Sequence, residues 1–373
     1  MRSALEAIRG HPRLELQLVC TGMHLDPAHG RTIDAVRAEG WAVDAVVPWG
    51  GGHSYNGSPD RNAVNTGTAM GALADTYRKL ESDVVLVVGD RVEAFAAAAA
   101  AHVGHRVVAH VHGGDRALGQ VDDSLRHAIT KLAHLHFPAT RWSAARLRRL
   151  GEDPTSIRHV GSPGVDGIRA TAAPWPEVSA SFSDLDLPRR RFALVVLHPT
   201  SADVDEESRR AGIVVNALRR ARVGRAVVVY PNNDPGAAGI LRSWDELSAD
   251  GALRNAFAFR RDVPRPLFLG LMRDAAVMLG NSSAGIIEAA SFGTPVVDIG
   301  PRQAGRERSR NVVNVPFRTA AVRVALEAAW NGGRPRRCRC ANVYGGDGAG
   351  RRIAEALART PLHAGLLRKL ITY

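Results

Sequence analysis

The sequence predicts an α/β protein built from two Rossmann-like domains. Short apolar runs rich in β-branched residues alternate with helical patterns along the chain, which is typical of βαβ units and parallel sheets. The chain has 373 residues, more than a single hydrophobic core usually spans. Three prolines and several serines interrupt the alternation at 171–190, and we interpret this segment as a linker between a domain at 1–170 and another at 191–345.

Four apolar runs predict the strands of the first domain: Leu14–Val19, Val84–Val88, Arg106–Val111 and Ile157–Val160. The clearest helices between them are Glu93–Val103 and Asp122–Leu135. A domain of this kind normally opens with a strand whose loop meets the ligand, but here a helix-like segment, Ser3–Arg9, comes first. We therefore expect the N-terminal first strand and its loop to be missing, either because the true start of the gene product lies upstream or because the chain is a genuine truncation. The upstream start is the hypothesis we favour.

The alternation resumes after the linker. Strands are predicted at Phe192–Leu197, Ala226–Tyr230, Ala275–Leu279 and Pro295–Ile299. No repeat shorter than a domain is evident, so two parallel sheets joined by a linker is the most economical architecture.

The composition indicates a folded globular protein, with 45% hydrophobic and 23% charged residues. Lys+Arg 49 against Asp+Glu 37 gives a net charge of +12, which on its own suits nucleic acid, a membrane surface or a phosphorylated substrate. The cations are mostly arginines interleaved with acids, and neither zinc-ligand spacing nor an aromatic-basic sheet motif accompanies them. Nucleic acid is therefore not predicted as a partner.

The cysteines and the apolar segments predict a cytoplasmic protein. Cys20, Cys338 and Cys340 are too few for a disulfide framework, and the C-x-C pair alone is a weak metal signal. The N-terminus has no apolar signal-peptide core. The longest apolar stretch, Ala94–Ala101, is far shorter than a membrane span, so no membrane partner is predicted.

Polar loops follow two predicted strands of the first domain, where open α/β sheets bind ligands. Asp90 comes directly after Val84–Val88 and is a candidate acid or base, and the neighbouring Arg91 is a candidate phosphate ligand. The structural alternative is a helix-capping aspartate beside a solvated arginine. His112 and Asp115 flank paired glycines that let the backbone approach a ligand closely.

Two more acids, Asp122 and Asp123, open the next predicted helix. They suit its positive N-terminal end and could be simple caps. Arg126 lies four residues after Asp122, and His127 four after Asp123, so each acid shares a helix face with a cation. Because carboxylates on neighbouring loops can be pushed apart in pKa, Asp90, Asp115 and Asp122 together favour acid–base chemistry.

The second domain carries a candidate anion site. His198 ends one strand, and Asn232 lies in the polar loop after another. Ser282 and Ser283 open a helix with backbone N–H groups and hydroxyls suited to a pyrophosphate. Glu288, one turn along, is a candidate partner for a ribose diol, and a later loop supplies cations such as Arg302. Together these loops predict a nucleotide diphosphate bound in the cleft between two domains.

These motifs resemble those of one known family. The segments GDRVEAFAAAAAA, HVHGGD, VDDSLRHAITKLAHLHFPAT, VGSPGVD and GNSSAGIIEAASFGTPVVDIGPRQAGRERSRNVVNV are similar to the hydrolysing UDP-N-acetylglucosamine 2-epimerases. The resemblance runs from about residue 14 to about residue 350. Non-hydrolysing relatives share the motif GNSSAG…GTP…RQAGR in looser form, but they usually carry a His-Val-Glu-Ala-Gly-type loop in place of HVHGGD and lack the DDSLRHAITK helix. The resemblance is therefore to the hydrolysing branch.

The resemblance implies a glycosyltransferase-B-like arrangement, with a C-terminal helix at 346–373 returning to the first domain. It implies elimination of UDP from UDP-GlcNAc through 2-acetamidoglucal, then hydration to free N-acetylmannosamine. Bacterial relatives act on a 2,4-diacetamido-trideoxy sugar on the way to nonulosonic acids. The sequence does not distinguish this substrate from UDP-GlcNAc. No metal or other cofactor is required. A homodimer or homotetramer is a family expectation.

By the same resemblance, Asp90, Asp122 and His198 are catalytic candidates, and the UDP-binding candidates are Arg91, Asn232, Ser282, Ser283, Glu288 and Arg302. This chain departs from the sialate branch by carrying His112 where a catalytic Glu is typical. It departs from many bacterial relatives by ending the loop in Asp115 rather than Glu. Both His112 and Asp115 therefore stay candidates. Two other functions remain open, a glycosyltransferase and a UDP-sugar-binding pseudoenzyme lacking the first strand.

Overall fold

A computed structural model describes residues 1–27, 31–49, 59–116, 121–231, 234–249, 256–370 and 372, with only the backbone described at 59, 121 and 122. The chain divides into two compact units. Unit 1 comprises Met1–Pro163 and Gly348–Tyr373, and unit 2 comprises Gly164–Asp347. Unit 1 is therefore discontinuous in sequence, because its last helix follows the whole of unit 2.

Unit 1 contains five described strands and seven described helices. In chain order they are α1 Arg2–Arg9, β1 Val19–Thr21, α2 Ile33–Ala38, β2 Ala45–Val47, α3 Pro59–Lys79, β3 Val84–Val88, α4 Val92–Val103, β4 Val107–Val111, α5 Val121–Leu132, β5 Leu135–Phe137, α6 Arg141–Arg149 and, after unit 2, α14 Ala349–Arg359. Strands β3, β4 and β5 form a parallel sheet, and β1 pairs with β2 in parallel. The apolar, alanine-rich face of α4 packs into the core beneath β3 and β4.

Unit 2 is organised around one six-stranded parallel sheet. Its elements are α7 Ile168–Thr171, α8 Trp175–Ser181, β6 Ala193–Val196, α9 Val204–Arg220, β7 Ala226–Val229, α10 Ala237–Ala249, β8 Phe257–Arg260, α11 Arg265–Asp274, β9 Val277–Gly280, α12 Ser283–Ile287, β10 Val296–Ile299, β11 Val312–Val315 and α13 Thr319–Trp330. The strand order is β11-β10-β9-β6-β7-β8. Two apolar cores, one on each face, bury its central strands, as parallel sheets require.

The C-terminal helix α14 packs against α1 within unit 1. Ile353 of α14 and Ala4 of α1 are fully buried in the same core cluster as β4 and β5. Gly350 permits this close approach, because a Cβ at that position would clash with the Ser3 backbone. Among the described helices of both units, none has the length and apolar character needed to cross a bilayer.

Two predicted strands of unit 1 differ in the structure. Leu14–Val19 is replaced by β1, which starts only at Val19, because the Leu18 N–H donates to the Asp44 carboxylate at 2.6 Å rather than to a strand. At Ile157–Val160 only Ile157 forms a bridge, to His136 of β5. The neighbouring Pro138 has no N–H to donate, so a regular ladder does not extend along this segment.

Two further predictions need correction. The helix predicted at Asp122–Leu135 ends at Leu132, and Leu135 opens strand β5, whose residues are all buried beside β4. The segment 171–190, predicted as a linker, forms α8 and packs Val178, Phe182 and Leu187 into a core of unit 2. Its prolines mark helix starts and turns of that unit, so the boundary falls earlier, at Pro163.

Candidate functional site

Asp90 lies at the C-terminal edge of the unit 1 sheet, directly after β3. Its carboxylate forms an ion pair with the guanidinium of Arg126 on α5. The same guanidinium donates to Asp123 Oδ1 at 2.7 Å and to the Asp115 carbonyl oxygen at 3.1 Å. Arg126 is only 2% exposed, so this buried cation joins the β3 loop, the β4 loop and α5.

The described charge pairs of α5 extend the prediction. Arg126 pairs with Asp123 and Asp90, and its predicted pairing with Asp122 lies outside the described side chains. His127 does approach Asp123, with 3.7 Å between Nε2 and Oδ2. The side chain of Asp122 lies outside the described residues, so its predicted catalytic role stays a prediction.

His112 and Asp115 form a hydrogen-bonded pair in the loop after β4. His112 Nδ1 lies 2.8 Å from Asp115 Oδ2, and its Nε2 lies 3.0 Å from Ser162 Oγ. Ser143 Oγ donates to the other Asp115 oxygen at 2.7 Å. The Asp115 carboxylate accepts from Nδ1–H, which leaves Nε2 to share a hydrogen bond with Ser162 Oγ. The aspartate thereby fixes the orientation and tautomer of the histidine.

The backbone of this loop is strained at His112. Its φ is +66°, in a region that residues other than glycine rarely adopt. Gly114, at φ +77°, lies so close to α6 that a Cβ would clash with the Ser143 carbonyl, and Arg146 donates to its carbonyl oxygen. Strain that is held in place by such contacts is typical of functional loops.

Arg91 is the most exposed of the unit 1 candidates whose side chains the structure describes. It is the N-cap residue of α4 without a side-chain capping bond, and its side chain is 51% exposed. Its Nε lies 3.4 Å from Glu93 Oε2. Arg91 therefore presents a cation at the same sheet edge as Asp90.

In unit 2, Asn281 holds the backbone of His198 from both sides. The Asn281 Oδ1 accepts from the His198 N–H at 2.7 Å, and its Nδ2 donates to the His198 carbonyl at 2.8 Å. Asn281 is fully buried and follows Gly280, where a Cβ would clash with the Val196 carbonyl. The ends of β6 and β9 are thereby locked together with His198 at the sheet edge.

Ser282 and Ser283 open helix α12 next to this clamp. Ser282 Oγ caps the helix by accepting from the Ala284 N–H at 3.3 Å. Both serines are half-buried. Gln303 Nε2 donates to the Asn281 carbonyl at 2.9 Å, and Arg302 Nη1 approaches the same oxygen at 3.5 Å. Four predicted residues of unit 2 are therefore brought together at Asn281. His198 and Arg302 contact it, and Ser282 and Ser283 follow it in the chain.

A model of the UDP-N-acetylglucosamine 2-epimerase family matches residues 6–358. The chain belongs to this family. A UDP-N,N'-diacetylbacillosamine 2-epimerase (hydrolyzing) of Legionella pneumophila is 34% identical over 373 residues, covering 100% of this chain and 96% of that protein. A UDP-N-acetylglucosamine 2-epimerase of Neisseria meningitidis is 32% identical over 336 residues, covering 90% and 85%.

The fold agrees with solved structures of such epimerases. The crystal structure of UDP-GlcNAc 2-epimerase from Neisseria meningitidis bound to UDP-GlcNAc matches with a TM-score of 0.79 at 16% identity, covering 96% of this chain and 97% of that one. The predicted α/β class and the two Rossmann-like domains are therefore confirmed, as is the family resemblance.

Two further predicted UDP ligands are Glu288 and Asn232. Glu288 lies at the far end of α12 and pairs with Arg265 Nη1 at 2.8 Å. Burial raises the pKa of Glu288, and the Arg265 charge opposes that rise. Asn232 lies outside the described residues, so its role stays a prediction.

The structure adds residues that the sequence did not single out for the site: Arg126, Ser143, Ser162, Asn281 and Gln303. The sequence analysis places Arg126 on the same helix face as an acid, and Asn281 lies within the quoted segment GNSSAG. Ser162 lies in the quoted segment VGSPGVD, where no role was assigned to it, and Ser143 gave no signal; each reaches the β4 loop from another part of the chain.

Proposed function

We propose that the chain is a hydrolysing 2-epimerase of UDP-linked 2-acetamido sugars. The observation that carries the proposal is the pair of acid–base centres at one sheet edge of unit 1, where Arg126 holds Asp90 and Asp115 supports His112. Family membership supports a UDP-sugar as substrate. The name of the relative that is 34% identical supports the hydrolysing reaction.

In this reaction a base removes the C2 proton of UDP-GlcNAc while the bond from C1 to the UDP oxygen breaks. The C2–H electron pair becomes the C1=C2 double bond of 2-acetamidoglucal, and UDP leaves with the C1–O pair. Water then adds its oxygen to C1 and a proton returns to C2 on the opposite face, giving free N-acetylmannosamine. Asp90 and Asp122 are the proposed carboxylate bases.

His112 is the proposed proton carrier of the β4 loop, with Asp115 as its positioning residue. Asp115 is 3% exposed and both of its carboxylate oxygens are already hydrogen-bonded. The side chain of His112 is 16% exposed, which leaves it better placed to exchange a proton. Of the two residues that the sequence leaves open, His112 is therefore the one proposed to carry the proton.

The residues of unit 2 are proposed to bind UDP. Ser282, Ser283 and Arg302 would hold the pyrophosphate and its developing charge, Glu288 and Asn232 would contact the nucleoside, and His198 would face the sugar. Arg91 would add a cation from unit 1. A cytoplasmic location and a homodimer or homotetramer complete the proposal.

The first substrate to test is UDP-GlcNAc. The corresponding UDP-2,4-diacetamido-2,4,6-trideoxy sugar is the second candidate, because the relative matching the whole chain is named for it. Each is incubated with the protein in D2O and followed by proton NMR. We expect UDP and a free 2-epimerised sugar that carries deuterium at C2.

The variants test the assigned roles. His112→Gln is expected to abolish turnover, and Asp115→Asn is expected to lower kcat and change its pH profile while KM stays unchanged. His105→Asn, at an exposed histidine of the same unit, is the control. Release of a UDP-linked epimer would place the chain in the non-hydrolysing class. Binding of UDP without turnover of either sugar would instead favour the pseudoenzyme.

A further inference from the structure

A basic cavity of about 1180 Å³ lies within unit 1, away from the candidate catalytic residues. The start of β5, the turn at Glu152 and the helix α14 with its following tail form its walls. Asp90, His112, Asp115 and Arg126 are not part of its lining. They follow the C-terminal ends of parallel strands, whereas His134 of the cavity precedes β5, so the cavity opens at the other side of the sheet.

The lining carries a strong excess of positive charge. Its cationic side chains are Arg158, Arg351, Arg352, Arg359, Arg368 and Lys369. Only three carboxylates, Glu152, Asp153 and Glu355, face them. Such a concave surface with one predominant sign of charge concentrates counter-ions of the opposite sign.

Some of these cations already have partners, and others do not. Lys369 pairs with Glu152 at 2.6 Å, and Arg359 pairs with Glu355 at 2.7 Å. Arg351 and Arg368 form no ion pair with any other residue that the structure describes. These two guanidiniums, one on α14 and one on the tail, therefore keep their donors available for a ligand.

We propose that this cavity binds a phosphorylated small molecule of nucleotide size. Guanidinium groups match the oxygens of phosphate through paired charge-assisted hydrogen bonds. The cavity volume of about 1180 Å³ slightly exceeds that of typical ligand pockets, about 300–1,000 Å³, so it accommodates an organic portion as well as the phosphates. Leu135, Val160 and Leu366 supply apolar wall for that portion.

The cavity is connected to the candidate active site by two elements. Lys131 of α5 contacts Glu152 Oε1 at 2.9 Å, and the same helix carries Arg126 five residues earlier. The Phe137 carbonyl, at the end of β5, accepts from the His112 N–H at 3.1 Å. A ligand bound in this cavity would therefore lie one helix away from Asp90 and one strand away from His112.

The test uses inorganic pyrophosphate as the probe, followed by ³¹P NMR line broadening on the full-length protein, with and without saturating UDP. We expect one saturable site to remain when saturating UDP occupies the proposed UDP site of unit 2. In that condition the double variant Arg351→Gln/Arg368→Gln is expected to raise the Kd by at least about tenfold, since each charge-assisted hydrogen bond contributes about tenfold or more in affinity.

The matched control is Arg148→Gln/Arg149→Gln, which removes two exposed arginines of α6 outside the cavity. It should leave the Kd within about twofold of the wild type, as expected for sites remote from the ligand. Equal losses in both double variants would mean diffuse attraction to a chain of net charge +12 and would overturn the proposal. So would absence of saturable binding. Neither result depends on epimerase turnover, because the arm with saturating UDP measures pyrophosphate binding outside the proposed UDP site and requires no reaction.

Discussion

Arg126 connects three parts of the unit 1 site through a single side chain. Its guanidinium contacts the carboxylates of Asp90 and Asp123 and the carbonyl of Asp115 from a position that is 2% exposed. A planar fork with five donors can serve three acceptors at once, whereas an ammonium is a point charge. The orientation of Asp90 thus depends on the shape of this cation as well as on its charge.

Replacing Arg126 separates these two contributions. Arg126→Ala should lower the free energy of unfolding by about 3 kcal/mol, because it leaves two carboxylates without their buried partner. Arg126→Lys should recover much of that stability but lower kcat at least about tenfold, since one ammonium cannot hold all three groups. Urea denaturation and the NMR assay measure the two effects. The control is Arg78→Ala, which removes an exposed ion pair to Asp75. Full activity of the lysine variant would contradict the positioning role.

Strand β4 depends on two neutral histidines. His134 Nδ1 accepts from the Val108 N–H at 2.9 Å, and buried His110 Nε2 lies 2.8 Å from the Gly89 carbonyl. Burial lowers the pKa of His134 to about 4, with the nearby His102 and Lys369 adding to it, and burial lowers the pKa of His110 to about 3. Protonation of His134 Nδ1 would remove an acceptor from the backbone of β4.

The sign of the pH dependence follows from these shifts. Below pH about 6.5 the unfolded chain protonates each histidine, while the native state does so only near pH 4 or 3. Stability is therefore lost as the pH falls through this window, by up to about 1.4 kcal/mol per pH unit for each histidine.

His134→Asn should weaken this dependence, because its amide oxygen still accepts from Val108 and cannot be protonated in this range. Between pH 7 and pH 5 we expect the variant to lose about 1 to 2 kcal/mol less than the wild type in urea denaturation. His105→Asn, at an exposed position with φ +56° that asparagine tolerates, serves as the control. Identical losses in all three proteins would contradict the assignment.

The same elements explain which parts of the fold the sequence could predict. The long apolar runs at Val84–Val88 and Pro295–Ile299 were identifiable nearly to the residue, because the second is buried on both faces and the first alternates buried residues with partly exposed ones. The three-residue strands β1 and β5 were not, because such short segments have no period of their own and pair only through neighbours. Polar residues at strand ends were predictable because parallel strands end at one edge. The contacts that Arg126 makes with Asp90 and Asn281 makes with His198 were not predictable, because the partners lie far apart in sequence.

At the scale of the whole molecule, unit 1 depends on residues from both ends of the chain. Lys369 donates to the carbonyls of Thr130 and Ala133, 239 and 236 residues away in sequence, and pairs with buried Glu152. Leu366 and Leu367 pack beside the core that contains Ala4 and Val111. Unit 2, by contrast, has its own cores built from one continuous segment.

Loss of the Lys369 ammonium should consequently weaken unit 1 alone. Lys369→Met leaves Glu152 with Lys131 and His136 as partners, so we expect a loss of about 1–3 kcal/mol rather than unfolding. Native-state hydrogen exchange should show faster exchange for the amides of β3, β4 and β5 and unchanged exchange for β6 and β9. Lys79→Met, at an exposed lysine of α3, should change neither. A uniform loss of protection across both sheets would mean that the two units unfold together, and that the ion pair at the C-terminal tail stabilises the whole chain rather than its first unit.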